Sequence, residues 1–355
     1  MWTEVDIRRL LRNTTDAKEL PEVFSHVKWI QVVTSMLSIV GSGSIIGYAI
    51  FQNVVKSPEV RPLFYLSVSD LLLAFCWLLG AVLYKPFTPD LQCFNLQALG
   101  QMFYLTTYLY TINYMWQTCS NFRRRIVHDT NQITETECCI GRIATVLCSV
   151  FPVLLICPVF YYGNTKECYG NSSYSCLVLN IGSQITVDPG SYSDGGCAAL
   201  HTYSTIVFMV TFCLSTVAIL VLVGYSYQLF RMIQKESRLL QDHWAVLTVT
   251  RHAFLLFPSI FLFCCLPVVI LTLVSSKGID VGYQVLCYIQ SFTAVSQGFL
   301  NSLAYGWTQQ MLHCLKQSSY RDVDTQTPLL RSQKNLYASM QTSNIHRGPQ
   351  TVSAF

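Results

Sequence analysis

Residues 200–225 read LHTYSTIVFMVTFCLSTVAILVLVGY, and no residue among them carries a full charge. About 20 apolar residues suffice for a helix to cross the hydrocarbon core of a bilayer, so this stretch alone points to a membrane span. The uncharged run is longer still, from Asp194 to Arg231. Similar gaps separate Lys28 from Lys56, Asp90 from Arg123, Arg142 from Lys166, Arg251 from Lys277 and Asp280 from Lys316. One further stretch, LFYLSVSDLLLAFCWLLGAVLY at 63–84, is broken by a single charge, Asp70. Over all 355 residues, 52% are hydrophobic and 12% charged, against about 25% charged in soluble domains. Mean hydropathy is +0.38. A soluble enzyme, a nucleic-acid binder and a disordered chain are excluded. The expected fold is all-α: a polytopic bundle of seven transmembrane helices, Trp29–Phe51, Leu63–Tyr84, Cys93–Thr118, Ile143–Tyr162, Leu200–Tyr225, Phe254–Val274 and Val281–Trp307.

Charge placement orients the bundle. With the N-terminus outside, the inner loops hold ten Lys and Arg: Lys56, Arg61, Arg123, Arg124, Arg125, Arg142, Arg231, Lys235, Arg238 and Arg251. The outer loops hold three, Lys85, Lys166 and Lys277. That is the positive-inside bias. The sequons at Asn13 and Asn171 both fall outside in this arrangement and are expected to carry glycans. Residues 1–28 then form a polar extracellular tail without the apolar run of a secretory signal, so the first span is expected to act as an uncleaved signal anchor. Residues 29–307 are the bundle. Residues 308–317, with Met311, Leu312, Cys314 and Leu315, read as a short amphipathic helix on the inner face, with Cys314 a palmitoylation candidate. Residues 318–355 are polar and poor in aromatics, which reads as a disordered cytosolic tail. In that tail Leu329-Leu330 and Tyr337–Met340 resemble endocytic signals. Ser353-Ala354-Phe355 resembles a ligand for a PDZ protein. The expected location is the plasma membrane.

Four of the fifteen cysteines face the outer side: Cys93 at the mouth of the third span, and Cys168, Cys176 and Cys197 in the second outer loop. Four cysteines allow three pairings. Asp70 lies about 12–14 Å along its helix from Arg61, where a carboxylate must be neutralised or partnered. Partners at similar depth are Asn301, Gln297, Thr107 and Ser42 or Ser44, which together would form a polar knot around a sodium ion or a proton. The same residues are also consistent with an inert tie between helices. In the third span Tyr104, Thr107, Thr111, Tyr114 and Thr118 recur at helical spacing. Such a stripe faces the bundle, either as a ligand wall with Tyr104 and Thr107 at its floor or as interhelical hydrogen bonding. Tyr108 and Tyr110 are expected to face neighbours or lipid. Gly43-Ser44-Ile45-Ile46-Gly47 matches a close-packing G-x-x-x-G face. Pro152, Pro158 and Pro267 fall within spans, and Pro267 is placed to hinge the sixth or to kink it statically.

Several motifs resemble those of G-protein-coupled receptors. Leu66 to Leu73 follows their L-x-x-x-D-L-L pattern. Cys264-Cys265-Leu266-Pro267 is similar to C-W-x-P, and Asn301-Ser302-Leu303-Ala304-Tyr305 is similar to N-P-x-x-Y. The stretch from Ser296 to Asn301 is closer to the secretin and cyclic-AMP-receptor branches. The resemblance implies a receptor that relays an unidentified extracellular ligand to a heterotrimeric G protein. Asp70, Thr107, Gln297, Asn301 and Tyr305 would be the polar switch, and Arg123, Arg124, Arg125, Arg231 and Lys235 the cytosolic coupling residues. It further implies a Cys93–Cys176 bridge, because Cys176-Leu177-Val178 leads from a polar stretch into an apolar one as at the receptors' loop cysteine. Cys168 and Cys197 remain as the second pair. One departure matters: Thr118 occupies the place of the D-R-Y arginine, and the arginine run begins only at Arg123.

Two other classes stay open. A seven-helix accessory or scaffold protein that has lost coupling is favoured by that missing arginine. A transporter, channel or intramembrane enzyme is opposed by the absence of an internal repeat and by the single buried charge. The seventh span lacks a lysine for a retinal Schiff base, and no H-x-x-x-H occurs to bind zinc. No enzymatic activity, metal or cofactor is expected apart from the sodium ion at Asp70, and no nucleic acid.

Overall fold

The computed structural model describes residues 4–55, 60–84, 91–126, 131–168, 176–177, 195–235, 244–274 and 281–315. They form α1 (Glu4–Phe51), α2 (Arg61–Val82), α3 (Leu91–Ile126), α4 (Asn131–Thr165), α5 (Gly195–Lys235), α6 (Trp244–Val274) and α7 (Val281–Thr293). An eighth helix, α8, covers 297–315, and no strand occurs among the described residues. Five helices contain stretches long and apolar enough to cross a membrane: Val23–Phe51, Arg61–Val82, Cys139–Thr165, Gly196–Met232 and Arg251–Val274. The protein is therefore a polytopic helical membrane protein. α3 is long enough, at 36 residues, but is too polar to meet the same standard. Its polar side chains are turned inward: Thr107, Thr111 and Asn113 are all buried.

The helices form a closed ring in which α1 packs on α2 and α7, and α3 packs on α2, α4, α5 and α6. α3 is the central post. Lipid-facing surfaces are plain on the periphery, with Leu154 on α4 64% exposed and Leu214 on α5 65% exposed. Lipid tails are as apolar as leucine, so such exposure carries no penalty in a bilayer. At one end of the bundle Val23, Phe24 and Val27 of α1 pack with Ala81 of α2, Leu177, Leu271 of α6, and Tyr283 and Cys287 of α7. At the same end two disulfides join α3, α4 and α5. The Val23–Val27 stretch of α1 and the N-termini of α3, α5 and α7 thus meet the C-termini of α2, α4 and α6, as alternating helices require.

Three sequence expectations are corrected or reshaped. The last span, expected as one helix over Val281–Trp307, is broken: α7 stops at Thr293 and residues 294–296 form a turn before α8. Side-chain hydroxyls compete there for backbone carbonyls. Thr293 Oγ1 donates to Ile289 O at 2.9 Å and Ser296 Oγ to Thr293 O at 2.9 Å, just ahead of the weak helix former Gly298. Residues 308–315 continue α8 without interruption. Finally, the G-x-x-x-G pair does not make the close-packing face. Nothing lies within 4 Å of a Cβ placed at Gly43, and only Phe51 of the same helix comes that near at Gly47. The tight approach is at Gly41, where a Cβ would lie 2.8 Å from Phe299 Cα and from Ser302 Oγ. Gly43 is two residues, roughly 200°, around the helix from Gly41 at 3.6 residues per turn.

Candidate functional site

The site is assembled where α1, α2 and α8 converge. Asp70 on α2 is 2% exposed, and its Oδ2 accepts a hydrogen bond from Asn301 Nδ2 on α8 at 2.8 Å. Asp70 Oδ1 has no hydrogen-bond partner. The close fit depends on Gly298, one turn before Asn301. A Cβ there would collide with Ser42 Oγ and Ser38 Oγ on α1 and lie 3.3 Å from Asp70 Cβ. The absence of a side chain at Gly298 is what lets two α1 hydroxyls and the carboxyl approach α8 together.

The other expected members of the knot are placed differently. Gln297 is buried beside the turn with its Oε1 unpartnered. Thr107 is fully buried, but its hydroxyl donates to Tyr104 O of its own helix at 2.8 Å. Ser44 likewise donates to Gly41 O at 2.6 Å. Tyr305, one turn beyond Asn301, packs edge-on against Tyr48 with ring centroids 6.0 Å apart. The structure joins Asp70 to Asn301, brings the expected Ser42 beside Gly298, adds Ser38 and Gly298 itself, and leaves Thr107 and Tyr305 in other contacts.

Sequence reading overlooked a polar file that leads from this point towards the disulfide end. Gln31 and Ser35 on α1, Trp77 on α2 and Gln290 on α7 are buried. Both side-chain amide atoms of Gln31 and Gln290, the Ser35 hydroxyl and Trp77 Nε1 have no partner. Thr34 Oγ1 reaches Ser291 O across the α1–α7 seam at 3.4 Å. Leaving a buried donor or acceptor unmatched costs about 1–3 kcal/mol, and polar recesses of this kind are ordinarily satisfied by internal water. The signal was legible. Gln31, Thr34, Ser35, Ser38, Gly41 and Ser42 recur at helical spacing along α1, as the polar residues of α3 do.

On the far side of Asp70 the bundle is filled by rings. Tyr104 and Tyr108 cross edge-to-face at 5.3 Å, Tyr104 meets Phe208 at 5.9 Å, and Tyr108 meets Phe261 at 5.3 Å. Phe212 stacks on Phe261 at 6.1 Å. The hydroxyls of Tyr104 and Tyr108 approach the Cys265 thiol without making a hydrogen bond of ordinary geometry. The expected pocket floor at Tyr104 and Thr107 is thus packed aromatic core. Tyr108, set aside in the sequence as facing neighbours or lipid, is at its centre and fully buried. Pro267 lies inside α6 beyond Cys264 and Cys265.

Both disulfides are formed: Cys93–Cys176 with Cα atoms 4.6 Å apart, and Cys168–Cys197 with 5.5 Å. They carry the start of α5 and the segment around Cys176 onto the ends of α3 and α4. At the opposite end Arg123 and Arg231 are exposed, and Arg231 lies over the Tyr227 ring at 5.5 Å. Cys314 is an exposed free thiol near the end of α8. Asn13 falls within α1. Asn171 and residues 318–355 lie outside the described residues, as do the side chains of Arg124, Arg125 and Lys235. The family model described as transmembrane protein 116 matches residues 24–339, from the buried end of α1 through the whole bundle and beyond α8. With nine-tenths of its length matched, the chain belongs to the transmembrane protein 116 family.

Proposed function

We propose that this protein is a seven-helix, receptor-like relay with its N-terminus outside and its α8 end in the cytosol, acting without enzymatic chemistry. In this reading α7 and α8 together make the seventh crossing and α3 makes the third. The ten-to-three distribution of loop cations supports the orientation, as do disulfides confined to one end, since such bonds persist on the oxidising side of a membrane. Glycans at Asn13 and Asn171 and a protease-protected C-terminal tag on intact cells are the expected results. Removal of that tag by added protease would reverse the orientation.

One observation carries the relay: the buried Asp70–Asn301 hydrogen bond at 2.8 Å, next to the break in the last crossing. A bundle built for stability alone would do better with leucine at a buried carboxyl. A carboxyl held by one bond, with its second oxygen unpartnered, responds to small shifts of α8 through its protonation or hydration. A sodium ion at Asp70, bordered by the Ser42 hydroxyl, belongs to the same reading. Pro267 would let α6 move, while Arg123–Arg125, Arg231 and Lys235 would meet a heterotrimeric G protein, with Ser353–Phe355 available to a PDZ protein at the plasma membrane. The ligand is an extracellular one of unspecified chemistry.

Asp70→Asn keeps the shape and the hydrogen bond and removes the charge. It is expected to preserve surface delivery while abolishing or locking G-protein dissociation measured across a panel of subtypes. Wild-type signalling by Asp70→Asn, together with a higher Tm for Asp70→Leu, would make the contact an inert tie. The second reading, an accessory or scaffold protein that does not couple, is favoured by Thr118 in the arginine position and by the ring packing at Tyr104. Under it, no subtype in the panel dissociates for wild type or for any variant.

A further inference from the structure

At the end of the bundle opposite the disulfides, a groove of about 430 Å³ opens between α2 and α4, lined by Val55, Arg61, Tyr65, Arg142, Thr145 and Val146. We propose that it holds one anionic phospholipid, its headgroup phosphate between Arg61 and Arg142 and an acyl chain lying over Tyr65 and Val146.

Chemistry and depth coincide here. Arg61 is the first residue of the apolar stretch of α2, and Arg142 immediately precedes the uncharged run of α4 that starts at Ile143. Both guanidinium groups therefore sit at the level where hydrocarbon gives way to headgroups. Among the described residues, those lining the groove include two cations and no acid. Arginine is suited to phosphate because its planar fork donates two parallel hydrogen bonds to one oxyanion. Beyond the cations the walls turn apolar and face outward, Val146 being 60% exposed and Tyr65 36%. A free anion would leave that wall unused, whereas an amphipathic anion covers both parts. The floor is fixed in place. Tyr65 stacks on Tyr110 at 5.9 Å, and the Tyr110 hydroxyl is 2.6 Å from Ser149 Oγ. Thr145 is bonded to Gly141 O at 2.8 Å. The volume falls within the few hundred cubic ångströms typical of small-molecule sites. On the orientation proposed above this leaflet is the cytosolic one, where anionic lipid is concentrated. The groove itself depends on neither that orientation nor the relay.

The test uses the full chain in phosphatidylcholine nanodiscs doped with a phosphoinositide, a composition that presents the lipid to both ends regardless of topology. Retained lipid is counted by native mass spectrometry. Wild type is expected to keep one phosphoinositide. Arg61→Gln and Arg142→Gln should each weaken retention about fivefold, the effect of one cation near a charged surface. Arg142→Lys should fall between wild type and glutamine, which separates loss of charge from loss of fold. Val146→Trp, which fills the groove and keeps both charges, should also lose the lipid. Arg251→Gln, which removes a cation from α6 at the same end, should keep it. The proposal is overturned if Arg251→Gln weakens retention as much as Arg142→Gln, since attraction would then be diffuse. It is equally overturned if Val146→Trp binds as wild type, or if a soluble inositol phosphate competes as well as the lipid does.

Discussion

At the depth of Asp70 the bundle has two unlike halves. On the α1–α2–α7–α8 side the interior is glutamine, serine, asparagine and glycine, with Gln31, Ser35, Ser42, Gln290 and Gln297 all buried and short of partners. On the α3–α5–α6 side Tyr104, Tyr108, Phe208, Phe212 and Phe261 interlock as one aromatic block. Aromatic packing is specific in geometry and resists rearrangement. Polar groups with unmatched valences can exchange partners or water at little cost. The difference teaches where motion is permitted. The ringed half is a fixed wall, and the polar half is the part that can hold more than one arrangement.

Truncating a ring should have the largest effect. Phe261→Ala is expected to lower unfolding stability by about 3–5 kcal/mol, read from denaturation in detergent. A loss below about 1 kcal/mol would mean the block is loosely packed and the contrast with the polar half is false. Next comes the seam itself. Gly298→Val should cost about 1–3 kcal/mol through overpacking, with part recovered by adding Ser42→Ala, because the two positions touch. Gly43→Val, next to Ser42 on α1 but facing open space, should stay within about 0.5 kcal/mol. Equal losses at Gly43 and Gly298 would erase the distinction between the packed and the open face. The one change expected not to destabilise is Gln290→Leu, neutral or stabilising by up to about 1 kcal/mol, since it replaces an unmatched buried amide by an apolar group of similar size. A clear loss of stability there would show the amide fully satisfied by bound water and the polar half as rigid as the other.

The extent of the helices was largely legible, because uncharged runs and bilayer thickness constrain one another. The Asp70–Asn301 contact was legible too. A lone carboxyl at that depth needs a partner, and few side chains at matching depth could serve. The receptor-like pairing of Cys93 with Cys176, and of Cys168 with Cys197, is the pairing the structure contains. Harder to read was anything that depends on the rotation of one helix against another. Gly43 and Gly47 form a stronger motif on paper than Gly41, yet only Gly41 meets a neighbour. Thr107 stands at the right depth but spends its hydroxyl on its own helix, as buried threonines readily do. The break at 294–296 was missed because no proline or charge marks it. It arises from hydroxyl competition and a glycine, each innocuous alone.

The bridges that close one end of the bundle also impose a schedule on synthesis. Cys93 and Cys176 are 83 positions apart, so at roughly 5–20 residues per second the ribosome needs about 4–17 s to deliver the partner after the first thiol has been made. Throughout that interval Cys93 is a nucleophile without a mate, open to capture by any other thiol in an oxidising compartment. Cys168 comes 8 positions before Cys176, so it reaches Cys93 first, and it could also close a far smaller ring with Cys176 itself. The order of emergence therefore favours the wrong partner, and the native pair depends on α3 and α4 docking before oxidation or on later thiol exchange.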